Sequence, residues 1–186
     1  PMPMVLGHEA AGIVEQLGEG VTDLERGDHV VLVFVPSCGH CPPCSEGRPA
    51  LCEPGAAANG AGTLLGGARR LSRNGTPINH LLGCASFAEY ATVSRRSLVK
   101  IDPELPLAEA ALFGCAILTG VGAVVNTAKV RAGATTAVIG LGGVGLASVL
   151  GARAAGARTI VAVDLSDAKL ELAKSLGATH TVNATA

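Results

Sequence analysis

The chain has 186 residues, a formal net charge of −1 and 48% hydrophobic residues. This near-neutral charge argues against the basic surface that nucleic acids and anionic membranes attract. The length allows one large domain or two small ones, and the core must be aliphatic because the sequence has three Phe, one Tyr and no Trp. No apolar run reaches the roughly 18 residues of a membrane-spanning helix, so we expect no membrane partner.

The first part of the sequence predicts short strands separated by glycine turns. A strand-like run at 11–15 follows Gly7, His8 and Glu9, and a second such run covers 29–34. Short strands separated by glycine turns are typical of a small, irregular β domain. His8, taken alone, is more typical of a structural histidine than of a metal ligand.

A cysteine-rich lobe at 37–53 comes next. Its four thiols have the spacing of a tetrahedral metal site, because short intervals let neighbouring thiolates converge on one ion. They are Cys38, Cys41, Cys44 and Cys52. A closed set of four sulfur ligands leaves no position for water or substrate, so we expect a structural Zn²⁺ whose binding is coupled to folding of the lobe.

Two disulfides are the alternative interpretation of the lobe, and His40 could compete as a ligand. The spacing favours zinc in a reducing compartment, so the sequence predicts a cytoplasmic protein.

Between this lobe and residue 130 the sequence pattern by itself predicts secondary structure but no catalytic or binding motif. Residues 53–79 resemble an ordered loop with an Asn74-Gly75 turn, and 86–93 alternate like a strand. Helices are predicted over 107–112 and 121–130. The isolated Cys84 and Cys115 are more typical of packing than of catalysis.

A glycine-rich turn lies between two apolar, β-branched strand-like runs at 136–139 and 159–163. The turn comprises Gly140, Leu141, Gly142, Gly143, Val144 and Gly145. Its glycines have the G-x-G-x-x-G spacing that allows a tight turn, close approach of a pyrophosphate and close helix packing. The start of the following helix offers N–H groups to the phosphates.

An acid and a lysine complete this pattern. Asp164 ends the second run, where its carboxylate would accept hydrogen bonds from an adenosine ribose and repel the extra phosphate of NADP. A helix is predicted over Asp167–Leu176, with Ser166 as N-cap and Gly177 as C-cap. Lys169 lies within reach of the ribose edge, although most such lysines are only solvated. The sequence therefore predicts NAD binding.

Together these motifs resemble the zinc-dependent medium-chain alcohol dehydrogenases. The resemblance rests on four segments in order: Gly7-His8-Glu9, the four-cysteine lobe, Gly114-Cys115, and the glycine turn with Asp164. It implies an α/β protein in which a partial GroES-like, β-rich catalytic domain at 1–116 precedes the first half of a Rossmann doubly wound domain at 117–186. It also implies an internal fragment, truncated at both ends, of a homodimer or homotetramer.

The resemblance further implies a catalytic Zn²⁺ besides the structural one. His8 and Cys115 would be two of its protein ligands, with Glu9 beside the metal. Thr119 would lie near the nicotinamide, and Phe34 and Leu82 would line the substrate cleft, although either could be ordinary core. The implied reaction is hydride transfer between a small alcohol, oxidised to an aldehyde or ketone, and NAD.

Two alternatives remain open from the sequence. One is another zinc enzyme of this family, acting on a polyol or a formaldehyde adduct. The other is a zinc-stabilised nucleotide-binding protein without turnover.

Overall fold

The computed structural model describes residues 1–185 and has a mixed α/β architecture, as the sequence predicts. The chain divides into two compact units, Pro1–Cys115 and a second unit that begins at Ala116. Each unit is described by itself.

Short strands in two small sheets form the frame of the first unit. They are β1 (Met4–Val5), β2 (Ala11–Ile13), β3 (His29–Leu32), β4 (Leu71–Arg73), β5 (Thr76–His80) and β6 (Leu98–Lys100). One sheet has the order β1-β5-β4, with β1 parallel to β5, and the other has the antiparallel order β2-β3-β6. Val14, Leu24 and Val30 form a buried cluster beside the second sheet.

Helices in the first unit are short. They are α1 (Pro42–Ser45), α2 (Glu53–Ala61) and α3 (Leu107–Ala110), with 3₁₀ turns at Pro49–Leu51, Leu81–Gly83, Arg95–Ser97 and Ala111–Gly114. The last of these turns and α3 together cover the helix predicted over 107–112.

The prediction of an ordered loop over 53–79 is wrong. The alanine-rich start of this segment forms α2, which begins after Cys52 and ends at Gly62 in the left-handed conformation. Strands β4 and β5 follow as a hairpin. Asn74 and Gly75 form its two-residue turn, both with positive φ, so the turn prediction is confirmed.

The strand predicted over 86–93 does not form. Only its first residues are tied to a neighbouring segment, through the N–H groups of Ser86 and Phe87, which donate to Gly7 and Leu6. Phe87 and Tyr90 are 77% and 76% exposed. An alternating pattern becomes a strand only where a partner backbone extends the ladder, and here none of the described residues does so.

The second unit follows the predicted α/β order. Its elements are α4 (Ala116–Gly122, continued by a π-helical turn at Ala123–Thr127), β7 (Thr135–Ile139), α5 (Gly143–Ala154), β8 (Thr159–Asp164), α6 (Asp167–Leu176) and β9 (His180–Asn183). The strands are parallel in the order β7-β8-β9. The helix predicted over 121–130 instead begins at Ala116 and ends at Thr127.

Small aliphatic side chains form the core of this unit. The buried members are Val124, Leu141, Val149, Ala152, Ile160, Ala162, Leu170 and Ala173. They come from one face of β8 (Ile160 and Ala162), from the glycine turn (Leu141) and from the neighbouring helices, so the turn between β7 and α5 is packed into this core.

The described residues include no single helix long and apolar enough to cross a membrane. One broken pair, Leu107–Gly114 with Ala116–Thr127, reaches that length and composition together.

Candidate functional site

The four cysteines of the lobe converge as the sequence predicts. Their sulfur atoms all lie within 4.8 Å of one another. The Sγ atoms of Cys41 and Cys52 are 4.0 Å apart, close to the edge of about 3.8 Å that four sulfurs at 2.3 Å from a zinc ion would have. All four cysteines are free thiols, so the two disulfides of the alternative interpretation are not formed among them. The donor set fits a structural Zn²⁺.

Backbone N–H groups point at these sulfurs. The N–H groups of Cys38 and Gly55 both donate to the Sγ of Cys52, at 3.2 and 3.3 Å, and Cys41 donates to the Sγ of Cys38 at 3.3 Å. Such bonds favour thiolates and orient metal ligands. His40 does not belong to this converging group, and its Nδ1 lies 3.0 Å from the carbonyl oxygen of Cys38.

The sulfurs have unequal proton affinities. The N–H groups of His40 and then Cys41 lower the pKa of the Cys38 thiol to about 6. Gly39 donates to the sulfur of Cys44, but burial and the three neighbouring cysteines raise its pKa to about 11. The Cys38 thiolate is therefore ready to form, and a divalent cation would supply the charge needed to ionise Cys44.

His8 and Cys115, a hundred residues apart in sequence, belong to segments that meet at the end of β3. The His8 ring packs edge-on against Phe34, with ring centroids 5.9 Å apart and an interplanar angle of 85°. Gly114 lies so close to Leu32 that a Cβ there would overlap the carbonyl oxygen of Leu32. Leu32 in turn donates its N–H to the Ala10 carbonyl at 2.9 Å.

The structure does not assemble a second complete ligand set. Over residues 1–185, the cysteine lobe is the one group of three or more side chains able to hold a metal ion. His8 and Cys115 would therefore supply two ligands and need a third.

An apolar cleft of about 420 Å³ adjoins His8. Its lining comes from three segments: Leu6, Gly7, His8 and Glu9; Leu81 and Phe87; and Ala111 with Leu112. Leu82, expected to line a substrate cleft, follows Leu81 in the chain with a φ of 52°. Phe34 reaches this region through its contact with His8.

The glycine turn has the geometry that a dinucleotide requires. Gly140 has a φ of 87°, a conformation that favours glycine. A Cβ at Gly145 would overlap the carbonyl oxygen of Gly140, whereas a Cβ at Gly142 would meet no atom within 4 Å. The turn therefore needs Gly145 for its own packing and leaves the space beside Gly142 open, where a pyrophosphate can approach the start of α5.

Other members of the turn divide between core and surface. The side chain of Leu141 is 1% exposed and belongs to the core, whereas Val144 is 44% exposed. A Cβ at Gly143 would make ordinary contact with Ala116 at 3.5 Å. Thr119 lies in the middle of α4.

Asp164 is fixed at the end of β8 by two backbone N–H groups. Leu141 donates to Oδ2 at 2.7 Å and Ser166 donates to Oδ1 at 3.0 Å, and both bonds lower the pKa of this carboxyl group. The ammonium group of Lys169 lies 3.9 Å from Oδ2. The carboxylate is thus ionised and keeps lone pairs that can accept ribose hydroxyls. Ser166 occupies the N-cap position of α6 without a side-chain capping bond.

Sequence reasoning missed two contacts at these sites. One is the bond from the Leu141 N–H to Asp164, which the acid at the end of the next parallel strand could have suggested. The other is the guanidinium group of Arg96, which lies against Gly39 inside the cysteine lobe. No spacing pattern links residues so far apart in sequence.

Two family descriptions match the chain. The description "Alcohol dehydrogenase GroES-like domain" matches residues 1–103, and "Zinc-binding dehydrogenase" matches residues 143–186.

Curated relatives match over almost the whole chain. Alcohol dehydrogenase class-3 of Caenorhabditis elegans is 49% identical over 181 residues, which are 97% of this chain and 47% of the relative. S-(hydroxymethyl)glutathione dehydrogenase of Synechocystis sp. is also 49% identical over 181 residues, 97% of this chain and 49% of the relative. The chain spans about half the length of these relatives.

Solved structures show the same fold. An alcohol dehydrogenase zinc-binding domain protein from Burkholderia ambifaria is 42% identical, with a TM-score of 0.88. The match covers 100% of this chain and 50% of the Burkholderia chain. Benzyl alcohol dehydrogenase from Acinetobacter calcoaceticus is 39% identical with a TM-score of 0.87 and the same coverage.

Proposed function

This chain belongs to the zinc-dependent medium-chain alcohol dehydrogenase family, and from that premise we propose that the protein transfers hydride between an alcohol and NAD. The products of oxidation are an aldehyde or ketone and NADH. The observation that carries the proposal is the meeting of the His8 and Cys115 segments at the end of β3, beside an apolar cleft.

In this proposal His8 and Cys115 hold a catalytic Zn²⁺ together with a third ligand, and the four-cysteine lobe holds a structural one. The mixed nitrogen and sulfur donors of the first set leave a position for substrate, which the closed sulfur set does not. Glu9, which follows His8 and lines the same cleft, adjusts the charge beside the metal.

When bound, Zn²⁺ supplies Lewis acidity to the alcohol oxygen and NAD supplies the hydride acceptor. The residues of this chain provide position. The N–H groups at the start of α5 bind the pyrophosphate, and the Asp164 carboxylate accepts the ribose hydroxyls and disfavours the extra phosphate of NADP. Thr119 lies near the nicotinamide, and Lys169 faces the ribose edge through its approach to Asp164.

We infer a small, largely apolar alcohol as substrate, because the cleft at His8 is lined mainly by aliphatic and aromatic side chains. In this proposal Phe34, which packs against His8, and Leu82, which follows the cleft residue Leu81, also contact the substrate. A formaldehyde adduct is the second candidate, and it is favoured by the name of the cyanobacterial relative, S-(hydroxymethyl)glutathione dehydrogenase. A polyol is less compatible with the apolar lining.

A substrate panel tests the proposal. The purified protein is given NAD with benzyl alcohol, with formaldehyde plus glutathione, or with sorbitol, and NADH formation is followed by absorbance. The proposal expects turnover with benzyl alcohol and loss of turnover in His8→Ala. Turnover with formaldehyde only in the presence of glutathione selects the second candidate.

Metal analysis separates an enzyme from a zinc-stabilised nucleotide-binding protein. The proposal expects about two zinc ions per chain in the parent protein and about one in Cys115→Ser, because this substitution leaves the four cysteines of the lobe unchanged. About one zinc ion in both proteins, with NAD binding but no turnover, would support the non-catalytic alternative.

Three broader features complete the proposal. The catalytic domain covers residues 1–116 and the nucleotide-binding domain begins at 117, close to the division between the two compact units. The protein works in the cytoplasm, where its free thiols stay reduced. It assembles as a homodimer or homotetramer.

A further inference from the structure

An arginine from a distant segment lies against the cysteine lobe. Gly39, which follows Cys38, has a φ of 86°, and a Cβ built there would lie 3.1 Å from Nη1 of Arg96 and 3.6 Å from its Cζ. The guanidinium group therefore occupies the space over Gly39, where a larger residue would displace it.

The turn that carries Arg96 is anchored on its other side. Arg95 forms a bidentate ion pair with Asp23, with Nε–Oδ1 and Nη2–Oδ2 distances of 2.8 and 2.6 Å. The Ser94 hydroxyl caps the same turn by accepting the Arg96 N–H at 3.2 Å. Arg95 is thus paired with Asp23, on which the charge of Arg96 also acts, while the exposed Arg96 side chain contacts Gly39 of the lobe.

The lobe has a charge that such a cation can offset. Four thiolates around one Zn²⁺ carry a net charge of −2. Gly39 donates its N–H to the sulfur of Cys44, so the residue covered by the guanidinium group is itself part of the N–H shell around the sulfurs. The guanidinium group therefore lies against a residue that follows one ligand, Cys38, and donates to another, Cys44.

We propose that Arg96 is a positioning residue of the zinc lobe. Its guanidinium charge, placed over Gly39, offsets the negative tetrathiolate. The inference rests on the proposed zinc site in the lobe and is independent of the substrate and of turnover.

The test measures metal release from the lobe alone. Each protein carries Cys115→Ser, so the lobe is the metal-loaded thiol site that remains, and the zinc-loaded protein is mixed with a chromogenic chelator. Arg96→Met removes the charge, Arg96→Lys keeps it, and Arg73→Met removes an equal charge from an exposed position on β4.

We expect Arg96→Met to release zinc about 3-fold faster at low salt, the scale of an exposed ion pair, and the difference to vanish near 1 M salt because the charge is screened. Arg96→Lys and Arg73→Met should release zinc at the parent rate.

Equal rates for Arg96→Met and the parent would overturn the proposal while leaving the zinc site in place. Faster release in both Arg96 variants, insensitive to salt, would assign the contact to packing alone and would also overturn it. A parent protein that contains no zinc would contradict the metal site itself.

Discussion

Gly142 and Gly145 belong to one turn, but the structure assigns them different tasks. A Cβ at Gly145 would overlap the Gly140 carbonyl oxygen, and a Cβ at Gly142 would face open space. Gly142 has φ −76° and ψ −173°, which any residue adopts. We expect Gly142→Ala to weaken NAD binding without loss of stability, because the methyl group blocks only the approaching pyrophosphate. Gly145→Ala should lower the free energy of unfolding by about 2–3 kcal/mol through overpacking.

Urea denaturation and calorimetric titration with NAD measure the two effects separately. A Gly142→Ala protein that binds NAD as tightly as the wild type would contradict the assignment of that open space to the cofactor. Equal stability of Gly145→Ala and wild type would contradict the packing argument.

His80 makes the fold sensitive to mild acid. Its side chain is fully buried, its Nε2 accepts the Arg70 N–H at 3.1 Å, and burial followed by the charge of Arg69 lowers its pKa below 6.5. Below about pH 6.5 the unfolded chain therefore binds a proton at this histidine more readily than the folded chain does. The contribution of His80 to the free energy of unfolding is thus present above that pH and is lost as the pH falls. We expect the free energy of unfolding to decrease from about pH 7.5 to 5.5, and to decrease less in His80→Gln.

The matched control is His180→Gln, since His180 is an exposed histidine of β9. Urea denaturation at each pH should show the wild-type dependence in this variant. An unchanged dependence in His80→Gln would exclude His80 as the titrating group.

At the level of elements, the cysteine lobe is a metal-dependent unit attached to a small β domain. Its α1 has four residues and its 3₁₀ turn has three, too few to be stable without added constraint. We expect Cys44→Ser to lose the lobe zinc and Cys84→Ala to keep it, because Cys84 is buried away from the ligand set. Zinc per chain, measured by mass spectrometry, checks this. Zinc retained in Cys44→Ser would show that three sulfurs suffice.

Local signals explain which elements the sequence predicts correctly. The helix Asp167–Leu176 and strands β7 and β8 are marked by apolar periodicity and by glycines within a few residues. The cysteine spacing also acts within one loop, so convergence of the four sulfurs could be expected. Likewise, Asn74 and Gly75 identify their hairpin turn without help from the rest of the chain.

Pairing between distant segments explains the failures. Strand β1 pairs with β5, with Met4 opposite Asn79. No pattern within residues 53–79 indicates that β1 is the pairing partner. Residues 86–93 have a strand pattern without a ladder. The contact between Arg96 and Gly39 was also not predictable, because the tertiary fold and not the local sequence brings the two residues together.

For the whole molecule, the structure predicts that the lobe zinc and the dinucleotide are bound by separate parts of the chain. The lobe sulfurs and their N–H donors lie within residues 38–55, in the first unit. The glycine turn and Asp164 lie in the second unit, which has its own aliphatic core. We expect zinc removal by a chelator to speed amide hydrogen exchange at 38–62 and to leave β7 and β8 protected, since their core does not depend on the metal. NAD should slow exchange around Thr119, 140–146 and 164–166. Hydrogen exchange read by mass spectrometry distinguishes these outcomes, and loss of protection in β7 and β8 on zinc removal would show that the units fold as one cooperative structure.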